Sequence, residues 1–143
     1  MIEETGLERV FALYQAMPEF SERLELDGMR ERLGDNYLPL VYSVGGVDAG
    51  FKLGYALDEQ EFYSWLGGVL PDYRGRGIAQ ALMERQEAWA ADRGFRILRV
   101  KSMNRYPAML SLLINNGYVI DGIEGDDPAS SKIHFFKSLG GST

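Results

Sequence analysis

The sequence predicts an α+β fold, a mixed and mostly antiparallel central sheet with helices on both faces. Three observations predict it. Residues 38–70 are rich in β-branched, aromatic and aliphatic side chains broken by short turn segments. Strands joined that closely must be antiparallel, because a parallel pair needs a crossover of a dozen or more residues. Between 61 and 102, a strand, a helical stripe and a second strand follow one another, the arrangement that sets two strands parallel through a right-handed connection. Helical spacing then dominates the first 34 residues and recurs before the final strands.

Taken in order, Leu7, Val10, Phe11 and Tyr14 recur at helical spacing between Glu4 and Tyr14, and Pro18 blocks continuation. Ser21, followed by Leu24, Leu26, Met29 and Leu33 with Gly34 beyond, reads as a second helix capped at both ends and weakened by Gly28. Strands are expected at 38–44, 50–57 and 61–69, separated by turn chemistry at Gly45-Gly46-Val47-Asp48 and Asp58-Glu59-Gln60. A helix over 77–93 carries the stripe Ile78, Ala81, Leu82, Arg85 and Trp89, and Gly94 closes it before a strand at 95–102. Pro107 opens a short helix containing Met109, Leu110, Leu112 and Leu113, which Asn115-Asn116-Gly117 stops. Strands at 118–124 and 132–138 flank the polar loop Gly125–Ser131, and Gly140-Gly141-Ser142-Thr143 reads as a frayed end.

A chain of 143 residues is expected to form one domain, 1–143. Its hydrophobic share of 45% and charged share of 25% are those of ordinary globular proteins, which disfavours disordered, fibrous and membrane classes. Without cysteine there is no disulfide, no thiolate metal site and no cysteine nucleophile, and no metal site is expected. No apolar run approaches the ~18 residues of a membrane span, and Met1-Ile2-Glu3-Glu4 is the reverse of a positively charged signal start, so a cytoplasmic location without membrane contact is expected. The net charge of −6 is concentrated at the start, where residues 1–36 hold nine acids against four bases. That balance argues against a nucleic-acid partner, which would need clustered Lys and Arg. It suits a cationic amine substrate, although net charge reports chiefly on solubility.

The chemistry concentrates in Gly67-Gly68-Val69-Leu70-Pro71-Asp72-Tyr73-Arg74-Gly75-Arg76-Gly77-Ile78-Ala79-Gln80, where a strand ends, a loop turns over and a helix begins. First-turn amides of a helix lack intrahelical partners and lie at the positive end of the macrodipole, so an anion is their natural ligand. Gly75 and Gly77 allow backbone angles and close approach, while Arg74 and Arg76 supply charge-assisted donors to phosphate oxygens. The plainer alternative is a structural turn with solvated arginines. A phosphate loop would need Gly-Lys-Ser/Thr, and a dinucleotide fingerprint would need a small residue three after its second glycine. Those places read Gly77-Ile78-Ala79 and Gln80.

Arg74-Gly75-Arg76-Gly77-Ile78-Ala79 resembles the Arg/Gln-x-x-Gly-x-Gly/Ala signature of the GNAT superfamily of acetyl-CoA-dependent N-acetyltransferases, and Val69-Leu70-Pro71-Asp72-Tyr73 looks like its lead-in. The order of elements is similar across most of the chain. The resemblance implies a GNAT-like sheet whose parallel strands, 61–69 and 95–102, splay around coenzyme A. Unpaired amides in such a gap would need a partner. By position, Val69 would offer main-chain groups to pantetheine, Arg74, Gly75, Arg76, Gly77, Ile78 and Ala79 would hold the pyrophosphate, and Asn104 would hydrogen-bond the pantetheine arm. The implied reaction is direct attack of a neutral primary amine on the thioester in a ternary complex, with acetyl-CoA as cosubstrate and no metal.

Departures from the pattern are informative. The tyrosine that in many relatives protonates the departing thiolate is replaced by Leu113. Ser111 and Tyr106 lie nearby as substitutes, with water the simpler proton source. Met1–Glu3 are too few to form much of the strand that relatives place before the first helix. Candidates for the base are Glu61 and Tyr63, which alternate onto one face of strand 61–69 with Trp65 beside them. The plainer reading of both is a strand-end carboxylate and a lining aromatic. His134 reads as a half-buried strand residue, and the methionines and Trp89 as core. The missing tyrosine motivates a rival, a non-catalytic acyl-CoA-binding sensor. The acidic early helices and the final strand suggest a possible homodimer surface.

Overall fold

A computed structural model describes residues 1–20 and 23–140. The elements are β1 (Ile2–Glu4), α1 (Leu7–Ala16), α2 (Leu26–Leu33), β2 (Tyr37–Val44), β3 (Val47–Ala56), β4 (Glu61–Val69), α3 (Ile78–Asp92), β5 (Ile97–Met103), α4 (Pro107–Asn115), β6 (Val119–Glu124) and β7 (Lys132–Ser138). One seven-stranded sheet has the order β1-β2-β3-β4-β5-β7-β6, antiparallel throughout except for the parallel pair β4–β5. This is the expected α+β arrangement. Among the described residues no helix is long and apolar enough to cross a membrane.

The largest differences from the sequence reading are three, the other element ends shifting by one or two residues. A first strand does form: β1 pairs with β2 from Ile2–Tyr42 to Glu4–Leu40, held at its ends by Ser43 N–H donating to Met1 O at 2.8 Å and Thr5 N–H to Pro39 O at 3.0 Å. Three residues suffice because the partner strand is already ordered. Helix α2 begins at Leu26, with Glu25 in the N-cap position and no side-chain cap; Ser21, the expected cap, lies outside the described residues. Strand β3 starts at Val47 rather than 50, because Gly45 and Gly46 alone make the turn, with φ of 56° and 83°. Positive φ at both central residues is the hairpin geometry that matches strand twist.

The sheet is packed on both sides. Leu7, Val10, Leu13, Met29 and Leu33 of the early helices, with Met17 just after α1, cover Val41, Phe51 and Leu53 on one face. On the other, Ile78, Leu82, Met83 and Ala90 of α3 and Leu113 of α4 cover Leu38, Leu40, Phe62, Leu98 and Phe135. Side chains alternate between these cores along each strand. The alternation is broken at Trp65, which is left unmatched where Leu53 faces Leu66 but Gly54 faces Ser64. A bulge of this kind re-aims a side chain.

Candidate active site

The parallel pairing of β4 with β5 covers only four rungs, Glu61–Ile97 to Ser64–Val100. Both strands continue, β4 to Val69 and β5 to Met103, without facing each other across a ladder. They therefore part in the middle of the sheet. Gly67, Gly68 and Val69 are half-buried in what would otherwise be a sheet interior. A cavity of about 850 Å³ fills the gap, walled by Ser64–Val69 on one side and Val100–Ser102 on the other, with Arg74, Gly75 and Gly77–Gln80 at one end. That volume lies within the range of small-molecule sites. Strand backbone facing the gap has no strand partner there and must be satisfied by solvent or a ligand.

The mouth is built by the turn after β4. Pro71–Tyr73 form one 3-10 turn, and the chain reverses through Gly75 and Gly77, at φ 77° and 80°, into α3. No atom lies within 4 Å of where a side chain would start at either glycine, so both answer to backbone conformation rather than crowding. Ala81 N–H to Gly77 O, at 3.0 Å, is the first bond of the helix. The amides of Ile78, Ala79 and Gln80 precede it and have no partner within α3. Ile78 is buried against Gly50 of β3, which fixes where the helix starts.

Arg74 is held before any ligand arrives. Its Nε donates to Val69 O at 2.9 Å, and Nη2 donates to the Glu19 carboxylate at 2.8 and 3.2 Å. Val69, Arg74, Gly75, Gly77, Ile78 and Ala79 thus converge on the cavity. Arg76 does not line it: its guanidinium sits 5.1 Å over the Tyr73 ring. Asn104 is exposed and also outside the cavity wall, its amide donating to Pro128 O at 3.1 Å.

Neither candidate base reaches the cavity wall. Glu61 lies at the paired end of β4 and is engaged by Arg99, which also donates to Asp121 at 3.1 Å. Tyr63 sits on the same sheet face, edge-on to Tyr55 at 5.5 Å, with the Lys101 ammonium 5.9 Å from its ring centre. Burial pushes the Tyr63 phenol up to about 12, so near neutral pH it holds its proton. Beside it, Glu124 accepts from His134 Nε2 at 2.9 Å and Lys101 Nζ at 3.4 Å, and these two neighbours, His134 first, hold its carboxyl below the usual range. Trp65 lines the cavity with the Arg32 guanidinium 4.7 Å over its ring. Of the substitutes for the missing tyrosine, Tyr106 lines the cavity and Ser111 is exposed, while Leu113 is 0% exposed in the core.

Two residues of the site escaped the sequence reading. Glu19 comes from the segment after α1 and positions Arg74, a pairing across 55 residues that no local pattern announces. Lys52 lies on β3 and lines the cavity although only 8% exposed. Its signal was available: one lysine among Gly50, Phe51, Leu53 and Gly54, in a strand with both faces packed. Desolvation brings the Lys52 ammonium down to about 8, against a smaller upward pull from Glu87.

Residues 7–110 match the model of the acetyltransferase (GNAT) family. A search of curated protein sequences finds no match. Among solved structures, Ard1 from Thermoplasma volcanium superposes with a TM-score of 0.82 at 19% identity, covering 97% of each chain. A ribosomal-protein-alanine N-acetyltransferase from Escherichia coli gives 0.83 at 19% identity, over 97% of this chain and 93% of that one. A GNAT family acetyltransferase from Elizabethkingia anophelis with acetyl-CoA bound gives 0.74 at 12% identity, over 97% of each chain. At these identities the likeness is one of fold. The family match spans most of the 143 residues and includes the parted strands and the turn into α3, and on that ground the chain belongs to the acetyltransferase (GNAT) family.

Proposed function

We propose that this protein transfers the acetyl group of acetyl-CoA to a primary amine by direct attack within a ternary complex. The observation that carries the reading is the end of β4–β5 pairing at Ser64–Val100, with the free amides of α3 opening onto the same cavity. The residues present fit the cosubstrate. Unpaired β4 backbone up to Val69 would pair with the pantetheine amides, and Gly75, Gly77, Ile78 and Ala79 would seat the pyrophosphate on main-chain donors. Arg74 would add charge, exchanging Glu19 for phosphate. Arg76 and Asn104 would join only by leaving Tyr73 and Pro128.

The acceptor would approach from the face carrying Trp65, Tyr63 and Lys101. Before attack its nitrogen must lose a proton, which passes by water to bulk solvent. Tyr63, neutral near pH 7 and beyond the cavity wall, would line the acceptor's approach rather than act as a phenolate. Glu61 is committed to Arg99, which leaves it a structural part in this reading. Backbone N–H groups near the Trp65 bulge would receive the charge that develops on the carbonyl oxygen.

Calorimetry with coenzyme A and an acetyl-CoA turnover assay over a broad amine panel test the reading. Arg74→Ala should weaken coenzyme A binding about tenfold, the scale of one lost charge-assisted hydrogen bond. If the wild type neither binds coenzyme A nor turns over acetyl-CoA, the proposal fails. Binding without turnover would instead favour an acyl-CoA sensor, the reading that Leu113 in place of a tyrosine supports. The final strand β7 is paired on both sides, by β5 and β6, and offers no dimer surface; a homodimer through β6 instead, which carries exposed Val119, Ile120 and Ile123 on the sheet edge, is a further proposal for sedimentation to test.

A further inference from the structure

Lys52 lies in register between Leu40 of β2 and Gly67 of β4, under the helix α3. Among the described residues no hydrogen bond or ion pair reaches its ammonium. A Cβ placed on Gly67 would lie 3.6 Å from Nζ, so the amine rests on the parted half of β4, between the last rung at Ser64–Val100 and the mouth at Val69. Leu82, Val100, Met109 and Leu112 make the cavity wall apolar on that side, relieved by the hydroxyls of the buried residues Ser64 and Ser102. The carboxylate facing Lys52 from α3 is that of Glu87, already engaged by Tyr118 Oη at 2.7 Å and Lys137 Nζ at 2.9 Å. β2, β4 and β5 present no ionisable group to it at Leu40, Ser64, Gly67 or Ser102.

A thioester that loses its acyl group must expel sulfur with a full electron pair. In an apolar wall that charge needs a cation or a proton. We propose that the Lys52 ammonium contacts the thioester sulfur and protonates it as the carbon–sulfur bond breaks. The inference rests on the acetyltransferase reading. The acceptor nitrogen forms the new C–N bond, the C–S electron pair stays on sulfur, and Nζ passes one proton to it. The neutral lysine then recovers a proton from solvent, and the proton shed by the acceptor also goes to solvent. Hydroxyls of Ser64 and Ser102 are too weakly acidic for this transfer. Lys101, the other lysine of the cavity, is paired with Glu124. An ammonium lowered to about 8 is still mostly charged at pH 7 and close in acidity to an ordinary thiol at about 8.5.

The test needs no acceptor. Coenzyme A bound to the wild type is titrated through its ultraviolet thiolate absorbance, alongside the complexes of Lys52→Met and Lys52→Arg. The wild-type complex should form thiolate at least about one pH unit below the Lys52→Met complex, the usual effect of an adjacent opposite charge, and Lys52→Arg should retain that shift. Equal titration of the wild-type and Lys52→Met complexes overturns the inference while leaving the cofactor reading intact. Failure of the wild type to bind coenzyme A overturns both. Should Lys52→Met not fold, Lys52→Gln replaces it, since it too removes the charge.

Discussion

A lysine in the middle of a packed sheet is expensive, and Lys52 gives that cost a pH signature. Its folded-state pKa, about 8, lies below the ordinary 10.5. The native state therefore disfavours the cation: the penalty is fully present below pH 8, shrinks as pH rises, and is absent above 10.5. Lys52→Met should raise unfolding free energy at pH 7 by on the order of 2–3 kcal/mol, with the gain fading toward pH 10.5. Urea denaturation at pH 7 and pH 10 checks this, and a destabilised Lys52→Met protein at pH 7 would contradict it. At this scale the motif residues were legible. Arg74, Gly75, Gly77, Ile78 and Ala79 fall together because they are adjacent in sequence and the turn is local. Alternation puts Glu61 and Tyr63 on one face but says nothing of how far along a strand the cavity reaches, and both lie beyond its wall. Position alone points to Asn104, and Pro128 holds its amide elsewhere.

Elements are positioned by a few contacts that tolerate no extra atom. At Gly54 of β3, an added Cβ would fall 2.5 Å from the Phe62 ring, 2.7 Å from Tyr63 O and 2.8 Å from the Gln86 amide. The carbonyl belongs to the ladder and cannot retreat, so β4 itself would have to shift. Gly54→Ala should cost at least about 1–3 kcal/mol in unfolding free energy, and a melting temperature equal to wild type would show that the strands have slack there. Helix α3 was legible almost to its ends, because Gly77 and Gly94 punctuate a clear stripe. Helix α2 was not: its apolar spacing continues N-terminal to Leu26, and periodicity alone does not mark where Glu25 begins the turn. The sequence leaves β1 open for the same kind of reason, since its three residues are ordered by β2 rather than by their own preference.

For the whole molecule, the β2–β4 meander and the parallel β4–β5 pair followed from connection lengths, whereas the seat of β7 between β5 and β6 and the length of the β4–β5 ladder did not. Nothing in Glu61–Val69 or Ile97–Met103 says that pairing stops after four rungs; the separation depends on what packs beneath, including α3 and the Trp65 bulge. Hydrogen exchange can read that gap. Coenzyme A should slow exchange of amides in 65–69 and 78–80 by tenfold or more while leaving 37–44 unchanged, and uniform protection over the sheet would instead indicate general tightening. The two margins of the sheet differ as sharply as its centre. β1 is three residues long and ends in Glu3-Glu4, whereas β6 runs six residues and exposes Val119, Ile120 and Ile123. Such a sheet has one sociable side. Two copies meeting β6 to β6 across a twofold axis would leave only their short acidic rims outward, so growth by edge-joining would halt at a pair and no filament could propagate.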